Sequence, residues 1–212
     1  MSNEKEKELV VSDDFTPTNI NVGEIYTSSA AFAHVQRIAK VFASSDLVPA
    51  AYRGNLANCI LGVELALRLN VPVMMLMQHT YPFQGKPAME GKFVVGLLNM
   101  RGPYVGGVRY EYTGKGETRS CTAIGIREDG TRDTVTVDVP MAKAMGWWQR
   151  NQMWHHITDQ MLSYRSAAWL ARRHCPEIIF GLQTVEEVSD VVDVTPEREL
   201  NAKITELKNS NS

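Results

Sequence analysis

Near the C-terminal end of the chain, arginines and a tryptophan are spaced so that they share one face of a predicted helix. The residues on this face lie three or four positions apart: Thr158, Leu162, Arg165, Trp169 and Arg172, with Arg173 beside them. Bases stack on aromatic faces and guanidinium groups bind phosphates, so the face suits a nucleic-acid strand. A structural interpretation is the alternative, in which Arg165 pairs with Asp159 or Glu177 and Trp169 belongs to the core.

A second stripe on the same segment is apolar and predicts that the helix packs against a core. Its members again alternate at spacings of three and four: Trp154, Ile157, Met161, Tyr164, Ala168, Ala171 and Cys175. This periodicity is typical of a core-facing helix. We expect one long helix from Trp154 to Cys175, because Pro176 cannot continue it.

Four further cations complete the candidate strand-binding set. Lys92 and Arg101 lie at the two ends of a predicted helix whose sequence is otherwise apolar. Arg127 and Arg132 flank Asp129-Gly130, which predicts a β-hairpin with a two-residue turn. That turn would place the two arginines opposite each other, an arrangement that needs solvent or an anion between them.

The net charge of −2 is distributed unevenly. Residues 1–26 and 184–212 are each acidic, whereas residues 27–183 hold 17 basic and 11 acidic side chains. A basic body with acidic ends favours a domain that binds a polyanion.

The motifs of several enzyme classes are missing from the sequence. It contains neither a Walker glycine loop nor a Gly-x-Ser-x-Gly elbow. His155 and His156 are adjacent, so on a helix they point about 100° apart and cannot easily share an ion. The acidic residues of the body follow no two-metal nuclease spacing. We therefore expect neither a catalytic site, nor ATP, nor a bound metal.

Length, apolar runs and cysteine usage predict the domain organisation and the cellular location of the protein. Its 212 residues are enough for one domain with a core. The longest apolar run, Val71 to Met77, is too short to span a bilayer. Three separated cysteines favour free thiols in a reducing cytoplasm.

The pattern along the chain predicts an α+β fold. We expect a flexible acidic arm at 1–26, one domain at 27–193 and an acidic, polar tail at 194–212. Ser28 or Ser29 is predicted to cap a helix, further helices are predicted from Asn55 to Leu69 and after Pro72, and the capping-box sequence Thr184 to Glu187 begins a short one. Residues 104–139 alternate in polarity and predict a three-stranded antiparallel meander packed on the long helix.

An ordered set of segments resembles the RecT-type phage recombinases. The set is Met75-Leu-Met-Gln, Gly85-Lys-Pro, Lys92-Phe-Val-Val-Gly-Leu-Leu-Asn, Met141-Ala-Lys-Ala-Met-Gly-Trp147, Gln160-Met-Leu-Ser-Tyr-Arg-Ser-Ala-Ala-Trp-Leu-Ala-Arg-Arg173, Pro176-Glu-Ile and Gly181-Leu-Gln-Thr-Val-Glu-Glu187. Together these segments span about residues 30 to 190, in the order that the family has them.

The resemblance implies a protein of phage homologous recombination that binds single-stranded DNA and anneals it without ATP. It also implies a Rad52-like core and a positive groove lined by Arg165, Arg172 and Arg173, with Lys92 and Arg101. The implied partners are single-stranded DNA, the annealed duplex, further copies in a ring or helical filament, and a phage exonuclease or host single-strand-binding protein. The implied location is the cytoplasm of a bacterial host.

Two other functions stay open at this point. One is a phage DNA-processing enzyme, a metal-dependent nuclease. The other is an oligomeric interaction module that does not bind DNA and whose arginines are structural. For an annealing protein we expect multimers, with the helix from Ala30 to Phe42 and the mobile ends of the chain as candidate subunit contacts.

Overall fold

The computed structural model describes residues 22–83, 85–180 and 182–191. These residues form a mixed α+β fold, as predicted. The helices are α1 (Glu24–Thr27), α2 (Ser29–Ala43), α3 (Leu56–Leu69), α4 (Val73–His79), α5 (Gly91–Arg101), α6 (Val139–Ala144), α7 (Trp147–Arg150), α8 (Met153–His156), α9 (Thr158–His174) and α10 (Val185–Val191). The strands are β1 (Thr80–Phe83), β2 (Lys86–Met89), β3 (Arg109–Thr113), β4 (Ser120–Ile126), β5 (Arg132–Asp138) and β6 (Gln183–Thr184).

Strands β3, β4 and β5 form the predicted antiparallel meander, and α9 packs across β4 and β5. Burial alternates along β5 with the strand period of two: Val135 and Val137 are buried, whereas Thr134 and Thr136 are exposed. The buried valines join the apolar clusters that also contain residues of α9. The sheet therefore has one face on the core and one open to solvent.

The loop between β4 and β5 is longer than the predicted two-residue turn. The amide of Arg127 donates to the carbonyl of Thr131 at 2.9 Å, and the amide of Gly130 donates to the carbonyl of Arg127 at 3.0 Å. Three residues therefore form the loop. Gly130 has φ +81°, the left-handed conformation that a three-residue hairpin loop needs at this position.

The longer loop shifts the register of the hairpin by one residue. Ile124 pairs with Thr134, where the two-residue turn would have paired it with Val135. A shift of one residue moves side chains to the opposite face of a sheet. The prediction that Arg127 and Arg132 face each other is thus wrong, because Arg127 lies on the core side and Arg132 on the solvent side.

A second, smaller sheet was not predicted in full. Strand β1 pairs with β2 in an antiparallel hairpin, and the two-residue strand β6 adds to β2 in parallel. A strand of two residues carries no detectable alternation, so β6 is decided by its neighbours.

The long helix predicted from Trp154 begins later than expected. Ile157 leaves the helical conformation, with φ −135° and ψ 50°, and separates α8 from α9. The hydroxyl of Thr158 donates to the carbonyl of Trp154 at 2.7 Å. In a continuous helix that carbonyl would accept a hydrogen bond from a backbone amide. Here the hydroxyl of Thr158 is the donor instead, which gives the chain an alternative to the helical hydrogen bond.

The N-terminal end of the body differs from the sequence-based division of the chain. Most of the predicted arm at 1–26, and the predicted tail at 194–212, lie outside the described residues. Ile25 in α1 is 2% exposed and packs with Val35 and Ala39 of α2. The folded body thus begins before residue 27.

Candidate nucleic-acid interface

Arg165 is not on an open surface. Its side chain is 5% exposed, and its guanidinium forms an ion pair with Asp190 of α10. A carboxylate oxygen of Glu187 lies 3.8 Å from the other terminal nitrogen. The guanidinium also lies over the ring of Trp147, 4.1 Å from its centroid. A carboxylate, an indole and the body of α9 therefore enclose the charge.

Asp190 is itself fully buried and has several hydrogen-bond donors around it. The indole Nε1 of Trp154 donates to Oδ1 at 3.0 Å, and the side-chain amide of Asn151 donates to the same atom at 3.2 Å. Burial raises the pKa of this carboxyl group, an effect that the charge of Arg165 opposes. These contacts tie α10 to Trp154 and, through Arg165, to Trp147. The predicted strand-binding role of Arg165 is therefore corrected to a structural one.

Arg172 is also held by α10. Its guanidinium forms an ion pair with Glu187 and donates to the carbonyl of Leu182 at 3.2 Å, leaving the side chain 32% exposed. Glu187 accepts from the amide of Thr184 at 2.9 Å, and Thr184 accepts from the amide of Glu187 at 3.1 Å, which confirms the predicted capping box. Burial is the largest single effect and would raise the pKa of Glu187, but the hydrogen bonds and charge of Arg172, the amide of Thr184 and the charge of Arg165 together lower it.

The structural alternative for Arg165 is correct in kind but not in its partners. The carboxylate of Asp159 pairs with Arg119 at 2.6 Å, so it is not the partner of Arg165. The true partners lie in α10, up to 25 residues further along the chain. Asp159 and Glu177 are both nearer to Arg165 in the sequence than Glu187 and Asp190 are, so sequence distance does not indicate the pairing.

Trp169 and Arg173 keep access to solvent. Trp169 is half-buried, with its ring edge-on to Trp147 at a centroid distance of 5.7 Å. Arg173 is exposed, and among the described residues no carboxylate lies within ion-pair distance of it. With Arg172 and Val135 they line a shallow cavity of about 240 Å³, here called the Trp169 depression.

Lys92 and Arg101 lie at opposite ends of α5. The ammonium of Lys92 is 2.8 Å from Glu90, a carboxylate that also accepts from Tyr81 at 2.8 Å. Arg101 is exposed and donates to the carbonyl of Asn70 at the end of α3. The structure does not bring either cation into the Trp169 depression.

Arg127 and Arg132 occupy different environments. Arg127 donates to Asp133 at 2.8 Å and to the carbonyl of His174 at 2.8 Å, which fixes the β4–β5 loop to the end of α9. Arg132 lies on the solvent face, where it pairs with Glu111 at 3.3 Å. Of the eight predicted residues, the structure places Trp169, Arg172 and Arg173 together and the other five elsewhere.

Sequence reasoning missed a second surface that combines aromatic and basic side chains. It is a cavity of about 400 Å³, here called the Trp148 depression, whose lining residues are Lys115, Gly116, Glu117, Arg119, Trp148, His155, Thr158 and Asp159. The only sequence signal was the tryptophan pair at 147–148, which does not reveal that Trp147 is buried while Trp148 reaches the surface.

The basic body is less basic than the sequence division indicated. Glu186, Glu187 and Asp190, counted there with the acidic end, pack onto the body through α10. Residues 27–191 therefore hold 17 basic and 14 acidic side chains. The positive charge open to a ligand is local to particular side chains.

The described part of the chain contains no group of three or more His, Cys, Asp or Glu side chains that could hold a metal ion. Cys59, Cys121 and Cys175 are free thiols, as predicted, and all three are buried. No single helix of the described residues is long and apolar enough to cross a membrane. Helices α3 and α4 together have the length and composition of a membrane span, but they are bent by 110° at their junction.

Comparisons of the chain with protein-family models, with curated proteins and with solved structures find no match.

Proposed function

We propose that this protein binds single-stranded DNA and anneals complementary strands without ATP, in the manner of the RecT-type phage recombinases. The single observation that carries the proposal is the Trp169 depression, where an indole and two guanidinium groups line one solvent-open cavity. The ordered resemblance of residues 30 to 190 to that family supports it independently.

The side chains of the Trp169 depression suit a strand whose bases must stay available for pairing. Stacking one base on Trp169 would contribute about 1–3 kcal/mol. Arg173 supplies a charge that no carboxylate of the described residues neutralises. Glu187 positions the guanidinium of Arg172. Because a guanidinium has five N–H groups, Arg172 retains donors that do not point at Glu187. Annealing breaks no covalent bond, so neutralising and presenting the strands is sufficient.

The arrangement of the meander on α9 fits the same proposal. A β-β-β sheet packed on a long helix is the core that the resemblance implies, of the Rad52 type. We infer that the Trp169 depression, between β5 and α9, is where a DNA strand enters this core.

One depression makes few contacts, so we infer that binding requires several copies along the strand. The exposed apolar residues Phe32 and Val41 of α2, and Leu47 after it, make this region the candidate subunit contact. Chromatography with light scattering is expected to show multimers that grow when oligonucleotide is added. A strict monomer under both conditions would contradict the inference.

The experiment that tests the function follows annealing of two labelled complementary oligonucleotides in the absence of ATP. Arg173→Glu is expected to slow annealing and to flatten the dependence of log K on log salt by roughly 0.7 for the lost phosphate contact. Lys86→Glu is the matched control, since Lys86 is exposed on β2 in the other sheet.

The outcomes separate the three functions. Binding that is insensitive to Arg173→Glu refutes the site but not the activity. Absence of salt-dependent oligonucleotide binding by the wild-type protein favours the interaction module. Disappearance of the oligonucleotide only when magnesium is added favours the nuclease.

A further inference from the structure

The Trp148 depression lies at the opposite end of α9 from the Trp169 depression. Thr158, the first residue of α9, lines it, and the connection between β3 and β4 supplies its other wall. Thr158 and Arg172 lie on the same stripe of α9 and are separated by about 21 Å along the helix axis, at roughly 1.5 Å per residue. The two cavities thus lie near the two ends of one helical face.

An aromatic pair forms one side of the Trp148 depression. The rings of Trp148 and His155 are 4.5 Å apart between centroids and are inclined by 61°. Nε2 of His155 is 3.0 Å from the carbonyl of Trp148, and because a carbonyl can only accept, this nitrogen is the donor. The hydrogen bond fixes the orientation of the imidazole, whose side chain is exposed. Because the two rings are inclined, a flat ring can stack on one of them and meet the other at its edge.

The charges around the aromatic pair are of two kinds. Arg119 donates to both oxygens of Asp159, at 2.7 and 2.6 Å, and these hydrogen bonds lower the pKa of the carboxyl group. In that ion pair the two charges neutralise each other without a ligand. Its two side chains therefore form a fixed wall of the cavity.

Two lysines remain for an anionic ligand. Lys115 is exposed, and no carboxylate of the described residues is within ion-pair distance of it. Lys143 lies 5.2 Å from the ring centroid of Trp148 and pairs with Glu117, which is 74% exposed. An exposed pair of this kind contributes little and can be exchanged for a phosphate. Aromatic rings and exchangeable ammonium groups together match a nucleotide, with its base and its phosphate.

We propose that the Trp148 depression is a second nucleotide-binding subsite, in which a base stacks on the ring of Trp148 and meets the inclined ring of His155 at its edge, while its phosphate is bound by Lys115 and Lys143. This inference rests on the proposed binding of single-stranded DNA and deepens it. A strand reaching from one depression to the other would bridge about 21 Å, which corresponds to about six nucleotides at the duplex rise of 3.4 Å each and to fewer when a single strand is extended.

Photo-crosslinking distinguishes the two subsites, because trypsin separates their tryptophans. The probe is an oligothymidylate longer than this span that carries 5-iodouracil, and the protein is the full chain. Cleavage after Lys143, Arg150, Arg165 and Arg172 yields one peptide with Trp148 and another with Trp169. Crosslinks to Trp148 and Trp169 in both peptides are expected, located by mass spectrometry.

Each other crosslinking result bears on one claim. Crosslinks confined to residues 166–172 overturn the second subsite and leave the proposed function standing. Crosslinks confined to residues 144–150 support the second subsite and overturn the assignment of the Trp169 depression. An oligonucleotide that neither binds nor crosslinks overturns both.

Binding measurements with the same probe provide a second test. Trp148→Ala is expected to weaken binding roughly 5- to 150-fold, and Trp148→Phe to restore most of it, because stacking needs only an aromatic ring. Met153→Ala, on the exposed side of α8, is the control and should bind as the wild type does. If Trp148→Ala is folded and binds normally, the subsite is refuted.

Lys115→Ala examines the phosphate contact by itself. Its salt slope is expected to fall by about 0.7 relative to the wild type. Lys86→Ala is the matched control and should leave the slope unchanged. Equal slopes for Lys115→Ala and the wild type would overturn the role of Lys115.

Discussion

The guanidinium of Arg165 and the carboxylate of Asp190 form a buried ion pair that joins α9 to α10 beneath the ring of Trp147. The charges neutralise each other where neither reaches water. A helix face that the sequence presents as cationic is therefore partly closed by the next helix. What remains open is the end of that face, at Trp169, Arg172 and Arg173.

Replacing Arg165 with Ala is expected to destabilise the fold by about 3–5 kcal/mol, because it leaves the carboxylate of Asp190 buried without its cation. Arg173→Ala, an exposed arginine on the same helix, is the matched control and should change stability by less than about 0.5 kcal/mol. Urea denaturation followed by circular dichroism measures both. Equal stabilities for the two variants would show that the buried pair is not structural.

Glu187→Gln is expected to reveal a pH-dependent contribution to stability. Glutamine preserves the capping box but removes the negative charge that Arg172 and Arg165 contact. Because the native pKa of Glu187 is lowered, its charge stabilises the fold above the unfolded glutamate value of about 4.3. That stabilisation is lost as the pH falls through the lowered native pKa.

The measurement compares the free energy of unfolding of the wild type and Glu187→Gln across this range. At neutral pH the variant should be less stable by about 1–3 kcal/mol, and the difference should shrink as the pH falls below about 4. Comparing the two proteins isolates Glu187 from Asp190, whose pKa burial raises and whose contribution has the opposite sign. A difference independent of pH would contradict the assignment.

Arg127 and Arg132 are expected to differ in their effect on stability. Arg127→Ala leaves Asp133, whose side chain is 9% exposed, without a cation at 2.8 Å and should cost about 1–3 kcal/mol. Arg132→Ala breaks an ion pair whose side chains are 54% and 65% exposed and should cost less than about 1 kcal/mol. Thermal denaturation of the two variants checks this. Equal losses of stability in the two variants would favour the register of a two-residue turn, in which Arg127 and Arg132 face each other.

Adding a methyl group to two glycines is expected to act in opposite directions. A Cβ on Gly125 would lie 2.4 Å from the ring of Tyr104, so Gly125→Ala should destabilise by about 1–3 kcal/mol. A Cβ on Gly96, inside α5, meets nothing within 4 Å, so Gly96→Ala should stabilise by up to about 1 kcal/mol. Chemical denaturation measures both, and a loss of stability in Gly96→Ala would contradict the open space there.

Local pattern predicted much of the fold. Ser28 and Asn55 cap α2 and α3 through hydrogen bonds to backbone amides three residues further on, as their residue types indicate. The alternation of residues 104–139 predicted the meander, and Thr184 with Glu187 predicted the start of α10. These features depend on contacts a few residues apart, which sequence spacing encodes directly.

The tertiary structure decided which charges are available. Spacing placed Arg165 on one helix face and Arg173 beside that face, but it could not show that α10 would bring Glu187 and Asp190 over Arg165. Nor could it show that Trp148 and Lys115, 33 residues apart, line one cavity. The sequence thus determined the elements and the residue types able to bind a strand. Packing between distant segments determined which of them are neutralised and which remain open, because burial and ion pairing depend on three-dimensional proximity.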